Sequence, residues 1–171
     1  AEHGLYGYTD PDERYFDAVT GWLLRRHGMR VRSEDIVCEN GVIPALSTAL
    51  RALTREGEGV ICVTPVYYPF AQVITLNNRR MAECPLLRSA DGRYEMDFNR
   101  LEDLARRQDV TALILCSPHN PVGRVWTREE LTQVVDICRR HGVLMLSDEI
   151  HFDIVLEGEH TVLARAGEGA A

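Results

Sequence analysis

The strongest constraint on the fold is an alternation of short, wholly apolar runs with longer amphipathic stretches. The runs VICVT, ALILC and VLML are bounded by glycine, proline or polar residues and are too short to be helices. Strands that are apolar throughout and separated by helices are typical of a parallel sheet covered on both faces. The sequence therefore predicts an α/β fold, a three-layer sandwich with a mostly parallel sheet.

Spacing and turn residues give the predicted elements. The strands are expected at residues 35–38, 59–64, 81–85, 112–116 and 143–146, and a turn at 89–94. The helices are expected at residues 12–28, 44–57, 68–76, 97–107 and 127–142. Thr127 with Glu130 three positions later forms a capping-box pattern at the start of the last helix.

Composition excludes several classes of protein. The formal net charge is −7 with the acidic residues spread along the chain, which argues for a soluble protein without a nucleic-acid surface. No run of eighteen apolar residues exists, so no membrane span is predicted, and the first residues do not resemble a signal peptide. The five cysteines never form C-x-x-C and are expected to be buried thiols in the reducing cytoplasm.

All nineteen basic residues are arginine, so the chain contains no lysine. Without an ε-amine the chain cannot form a Schiff base, and it cannot supply a phosphate-binding P-loop lysine. The chain also begins without methionine, which suggests that it has been processed, excised or only partly read.

Four polar or aromatic segments are predicted to follow strands of the sheet: ENGVIPALS, PVYYPF, SPHNPVG and SDEIHFD. Ligands of parallel sheets bind at the carboxyl ends of strands, so these segments are where a site is expected. Taken alone, each has an ordinary structural explanation: a strand-to-helix turn, core packing of Tyr67 or Tyr68, a simple Asn-Pro turn, or a solvated Asp148.

Their joint occurrence favours one ligand. Gly41 before a helix offers backbone N–H groups and a positive dipole end to a phosphate. Tyr67 can stack on a flat ring, Asn120 can donate to a phenolate oxygen, and Asp148 can pair with a protonated ring nitrogen. His119 is expected beside Asn120 at the same ring edge. This set of groups suits pyridoxal 5'-phosphate.

The same segments carry a family resemblance. YGYTDPDERY, ENGVIPALSTALRAL, TPVYYPF, CSPHNPVGRVWTREEL and LSDEIHFDIV cover nearly all of the chain. Together they resemble the large domain of fold-type I pyridoxal-phosphate enzymes, the class I/II aminotransferase superfamily. His119 before the Asn-Pro pair, and His151 where the general aminotransferase pattern has Tyr, make the chain similar to the cystathionine β-lyase-like C–S lyases.

The resemblance implies a role for each site residue. Asp148 pairs with the pyridine nitrogen and Tyr67 stacks on the ring, and both are the expected catalytic residues. Asn120 and His151 lie near the phenolate oxygen. The cofactor phosphate is received by the backbone of three consecutive residues: Gly41, Val42 and Ile43. Tyr8 reaches the cofactor phosphate of a neighbouring subunit in trans, which implies a homodimer. No metal is expected.

Some family parts are missing from this chain. The family's Schiff-base lysine lies some thirty residues past the Asp-Glu-Ile-His motif, and the small C-terminal domain follows it. Residues 1–171 are therefore expected to be part of a pyridoxal-phosphate-binding large domain and inactive alone. When full length, the expected enzyme is a carbon–sulfur β-lyase that converts cystathionine or cysteine-type amino acids to pyruvate, ammonia and a thiol. The alternatives are an aminotransferase and an inert fragment without cofactor.

Three rival classes are disfavoured by the residues. LSDEIH resembles the D-E-x-H box of helicases, but that class needs a lysine-containing P-loop. A metal hydrolase built on Asp148, Glu149, His151 and Asp153 would need convergence of residues that alternate in direction along an extended segment. No G-x-G-x-x-G opens a helix, which disfavours a dinucleotide fold.

Overall fold

The computed structural model describes residues 10–167. Its contacts form two compact units that divide between Cys38 and Glu39. The first unit contains helix α1, Glu13–His27, and a single 3-10 turn, Ser33–Asp35. Asp12 caps α1 by accepting a hydrogen bond from Tyr15 N at 3.2 Å, and Gly28 ends the helix in the left-handed region.

The prediction of a strand at residues 35–38 is wrong. Asp35 ends the 3-10 turn, and the following residues 36–39 have no assigned secondary structure although Ile36 has an extended backbone. A run of three apolar residues carries too little pattern to separate a strand from an extended connection. Cys38, expected to be a buried thiol, is exposed, whereas the other four cysteines are buried free thiols.

The second unit contains a four-stranded parallel sheet with flanking helices. Its strands are β1 Gly59–Thr64, β2 Arg80–Pro85, β5 Val110–Cys116 and β6 Leu144–Asp148, in the order β2-β1-β5-β6. Its helices are α2 Val42–Leu53, α3 Pro69–Leu76, α4 Phe98–Ala105, α5 Arg128–His141 and α6 Leu163–Ala166. A short antiparallel hairpin, β3 Leu87–Arg88 with β4 Tyr94–Glu95, encloses the predicted turn.

Apolar side chains pack on both faces of the sheet, which confirms the three-layer α/β prediction. Alternate residues of β5 divide between the faces: Leu113 and Leu115 pack with α4, α5 and α6, while Ala112 and Ile114 pack with α2 and α3. The strand β6 departs from expectation because its apolar residues are only half-buried. It lies at an edge of the sheet, where one side has no neighbouring strand among the described residues.

The predicted capping box is present at the start of α5. Thr127 Oγ1 accepts from Glu130 N at 3.2 Å, and Glu130 Oε2 accepts from Thr127 N at 2.8 Å. Arg124 also forms an ion pair with Glu130. The cap therefore fixes where the segment after β5 ends and the helix begins. Within residues 10–167, no helix combines the length and the apolar character that a membrane crossing requires.

Candidate functional site

A cavity of about 380 Å³ opens at the carboxyl end of the sheet. Its walls come from the start of α2, the segments after β1 and β5, and the end of β6. The lining residues are Val42, Ile43, Tyr67, Cys116, Asn120, Asp148, Ile150 and His151. The structure thus brings together six of the residues that the sequence predicted for the site, namely Val42, Ile43, Tyr67, Asn120, Asp148 and His151. Gly41 immediately precedes the lining residues of α2, and Tyr8 lies outside the described residues.

The wall formed by α2 is a helix N-terminus. Gly41 is its N-cap, with φ 130° and ψ 170°, a backbone conformation that is essentially restricted to glycine. The first N–H groups of a helix have no acceptor within the helix, and they carry the positive end of the helix dipole. Because Val42 and Ile43 line the cavity, this end of α2 is placed to bind an anionic group there.

Tyr67 supplies an aromatic wall directly after β1. The residue is 40% exposed, and its ring packs edge-on against Phe70, with the ring centroids 6.2 Å apart. The Tyr67 N–H donates to the carbonyl oxygen of Asn120 at 2.9 Å, which joins the segment after β1 to the segment after β5. A ring held at its edge by Phe70 and exposed to the cavity is suited to stacking on a planar ligand.

Cys116 ends β5, and Asn120 lies in the tight turn that follows. The Asn120 N–H donates to Cys116 Sγ at 3.5 Å, and the thiol donates to the Pro118 carbonyl at 3.3 Å. Burial raises the pKa of the Cys116 thiol to about 11, so the group stays protonated at neutral pH. Cys116 therefore shapes the turn beneath Asn120 and is not an activated nucleophile.

Asp148 ends β6 in register with Cys116 and is 7% exposed. Its Oδ1 accepts from Ile150 N at 3.1 Å, and its carbonyl accepts from Ser117 N at 2.9 Å. Burial raises the pKa of its carboxyl; the Ile150 N–H and the charge of His151 oppose this rise, and Glu149 adds to it. A buried carboxylate next to a cavity is a group that a cationic ligand atom stabilises.

These groups fit pyridoxal 5'-phosphate. Among the described residues, no arginine forms an ion pair with Asp148, so its carboxylate is available to a protonated ring nitrogen. The cavity also combines one aromatic face, one amide and one helix N-terminus, the groups that suit a ring, a phenolate oxygen and a phosphate respectively.

His119 does not lie where the sequence placed it. It is 1% exposed and does not line this cavity, so the expectation that it rests on the ring edge beside Asn120 is wrong. Its ring lies between the carbonyl oxygens of Cys116 and Pro65 and packs edge-on against Trp126. Residues adjacent in a turn point in different directions, and here only the asparagine faces the cavity.

His151 is exposed and lines the cavity on the loop after β6. That loop is held by its neighbour Glu149, which pairs with His160 Nε2 at 2.6 Å and accepts from Leu163 N at 3.1 Å. Glu149 is therefore engaged with the start of α6 and is not a lining residue. The segment from Asp148 to His151 divides its side chains between the cavity and the protein interior.

Sequence reasoning missed two lining residues, Cys116 and Ile150. Cys116 was assigned to the buried strand, although the last residue of a parallel strand can face the ligand edge. Ile150 is an apolar residue between polar ones, and its type alone does not indicate a ligand contact. Ile150 lines the cavity because its main-chain N–H binds the Asp148 carboxylate and because the residue is 60% exposed, and no residue pattern indicated this position.

We expect Asp148→Asn to raise the thermal midpoint of the cofactor-free full-length protein at pH 7. Because burial raises the carboxyl pKa, the folded protein binds this proton more tightly than the unfolded chain. The free energy of unfolding therefore falls as the pH rises from the pKa of this carboxyl in the unfolded chain to its pKa in the folded protein. At higher pH the free energy of unfolding stays at this lower level. The amide removes that charge and keeps an acceptor for Ile150 N. A calorimetric scan at pH 7 that shows a lower midpoint for the variant would contradict this expectation.

Comparison with known proteins supports the class of fold and site. The family model for aminotransferase class I and II matches residues 1–170. The chain therefore belongs to the aminotransferase class I and II family, as its motifs predicted. It is 44% identical over 171 residues to "Cystathionine beta-lyase PatB" of Bacillus subtilis (strain 168), covering 99% of this chain and 44% of that protein.

Two solved structures share the fold. Cystalysin from Treponema denticola, whose crystal structure contains a pyridoxal 5'-phosphate cofactor, superposes with a TM-score of 0.92 at 42% identity, over 98% of this chain and 42% of that one. The PLP-bound C-S lyase from Staphylococcus hominis gives a TM-score of 0.91 at 30% identity, over 98% of this chain and 44% of that one. The chain thus spans less than half the length of these relatives.

Proposed function

We propose that the full-length protein is a pyridoxal-phosphate-dependent carbon–sulfur β-lyase. The observation that carries the cofactor assignment is the convergence of Asp148, Asn120, Tyr67 and the start of α2 on one cavity at the carboxyl end of the sheet. The lyase assignment is supported by the similarity to a cystathionine β-lyase and to a solved C-S lyase with bound PLP, and the cofactor assignment also by the similarity to cystalysin with its pyridoxal 5'-phosphate. Residues 1–171 then form part of the large domain, and the Schiff-base lysine belongs to the remainder.

Each described group has a role in this proposal. The cofactor supplies an electron sink for the charge left on the substrate Cα when its proton is removed. Asp148 holds the ring nitrogen protonated, which strengthens that sink. Tyr67 packs on the ring face and limits tilting. The Asn120 amide donates to the phenolate oxygen, with His151 close to the same edge, and the N–H groups at the start of α2 bind the phosphate.

The lyase reaction balances with water as the only co-reactant. The Cα–H and Cβ–S bonds of the substrate break, the thiolate leaves and takes up a proton, and the remaining three-carbon unit is hydrolysed to pyruvate and ammonia. No external oxidant or reductant is needed. An aminotransferase would share the same proton removal but would exchange the amine for the oxygen of a keto acid.

The structure offers fewer residues than the sequence for distinguishing the lyase reaction from the aminotransferase reaction. Two histidines favoured the lyase branch, but His119 is buried away from the cavity and only His151 lines it. The lyase assignment therefore depends on His151 and on the relatives, while the family description also covers aminotransferases. We infer a cytoplasmic homodimer, with Tyr8 of the partner subunit contributing to the phosphate site.

The decisive experiment supplies the full-length protein, loaded with pyridoxal phosphate, with cystathionine. We expect pyruvate, ammonia and a free thiol in equal amounts, measured by a lactate dehydrogenase coupled assay and a thiol reagent. A parallel reaction contains an amino acid and a keto acid acceptor, analysed for the exchanged pair. Amine exchange without pyruvate would replace the lyase assignment by the aminotransferase one. If neither pyruvate nor the exchanged pair forms, both assignments are contradicted.

A further inference from the structure

His119 is a buried histidine that lies between the carboxyl ends of two neighbouring strands. Its Nε2 is 2.9 Å from the carbonyl oxygen of Pro65, directly after β1, and its Nδ1 is 3.2 Å from the carbonyl oxygen of Cys116, the last residue of β5. The first contact joins residues 54 positions apart in the sequence. A single side chain thus connects two separate segments of the cavity wall.

We assign the imidazole proton to the shorter of the two contacts, the one with Pro65. Burial lowers the pKa of His119, so the ring is neutral at neutral pH and carries one N–H. The Cys116 carbonyl already accepts from Trp126 Nε1 at 3.0 Å, whereas Pro65 is the nearer acceptor. The proton is therefore assigned to Nε2, which donates across the gap between the two strand ends.

The ring is held in this orientation from its other side. Trp126 packs edge-on against it with the ring centroids 5.5 Å apart, and Arg124 lies over the Trp126 ring at 4.8 Å. The main-chain N–H of His119 donates to the Arg124 carbonyl at 2.7 Å. Main chain and side chain of His119 are both fixed, so its bond to Pro65 has a defined direction.

The two connected segments carry the aromatic and the amide groups of the cavity. Tyr67 lies two residues after Pro65, and Asn120 directly follows His119. A second bond, from Tyr67 N to the Asn120 carbonyl at 2.9 Å, joins the same segments. We propose that His119 is a positioning residue whose bond to Pro65 sets the placement of Tyr67 relative to Asn120. This inference rests on the proposed function, since it assigns those two groups to the cofactor.

The test compares His119→Gln with His119→Asn in the full-length protein. A glutamine amide reaches the position of Nε2 and can donate to Pro65, whereas an asparagine amide reaches only the position of Nδ1. We expect His119→Asn to raise the Kd for pyridoxal phosphate about tenfold, the equivalent of one hydrogen bond, and His119→Gln to stay within about threefold of wild type. The visible circular dichroism of bound cofactor should weaken only in the asparagine variant.

Thr54→Val is the matched control for a purely structural role. It removes two buried hydrogen bonds at the carboxyl end of α2, from Thr54 Oγ1 to the Leu50 carbonyl and from Arg79 Nε to Thr54 Oγ1, and leaves His119 and its bond to Pro65 in place. We expect it to lower the thermal midpoint but to keep the cofactor Kd and dichroism near wild type. The proposal is overturned if Gln and Asn behave alike, if the loss of affinity follows the loss of stability in all three variants, or if His119→Asn does not fold. A wild-type protein that binds no cofactor would refute the proposed function instead.

Discussion

Asp148→Asn in the full-length protein is expected to lower the rate of pyruvate release from cystathionine by at least about a hundredfold, the scale of removing one preorganised electrostatic group from an active site. The carboxylate is buried beside the cavity, where a charge acts strongly on a ring nitrogen. An amide of the same shape cannot hold that nitrogen cationic, so the electron sink is weakened. Steady-state kinetics with saturating cofactor measures the effect.

The matched control is Asp103→Asn, which removes an acid from the exposed face of α4, where the side chain is 66% exposed. Its turnover should equal wild type. The two expectations for Asp148→Asn have opposite signs, since the cofactor-free protein gains stability while the loaded enzyme loses rate. A variant that keeps near-normal turnover would show that Asp148 does not have the role assigned to it.

Gly41→Ala is expected to raise the Kd for pyridoxal phosphate about tenfold or more. A Cβ at this position has room, since its nearest neighbour is Pro44 Cδ at 3.9 Å, but φ 130° is strained for alanine. The strain of about 1–3 kcal/mol is relieved by rotating the backbone at the start of α2. That rotation turns the first N–H groups away from the phosphate. Titration of the cofactor-free protein, followed by absorbance, gives the affinity.

Gly142→Ala controls for the strain itself. Gly142 ends α5 in the left-handed region with φ 68°, and a Cβ there meets no atom within 4 Å. Alanine should lower the free energy of unfolding by about 1–2 kcal/mol without changing cofactor affinity. Equal cofactor Kd values for the two glycine variants would show that the start of α2 does not bind the phosphate.

The layered fold could be predicted because its signals are local. Runs such as VICVT and ALILC are apolar on both faces, which only a covered sheet satisfies, and both became central strands. Helix ends followed from chemistry within one turn, as the Thr127–Glu130 cap and the left-handed Gly142 show. The order of strand ends along the chain also located the cavity, because parallel strands place those ends at one edge.

The remaining features depend on partners distant in sequence. His119 faces Pro65, so nothing in SPHNPVG itself indicates whether its ring faces a ligand or a neighbouring strand end. Residues 36–38 have strand-like composition but no assigned strand pairing. Among residues 10–167, β6 is an edge strand, and its half-burial follows from this place in the strand order rather than from its own residues.

The protonation state of the cofactor nitrogen tests the central claim most directly. Pyridoxal phosphate labelled with nitrogen-15 in its ring would be bound to the full-length protein, and its nitrogen chemical shift measured by NMR at pH 7. We predict the shift of a protonated pyridinium in the wild type and of a neutral pyridine in Asp148→Asn. A neutral nitrogen in the wild type, or a protonated one in both proteins, would contradict the role assigned to Asp148.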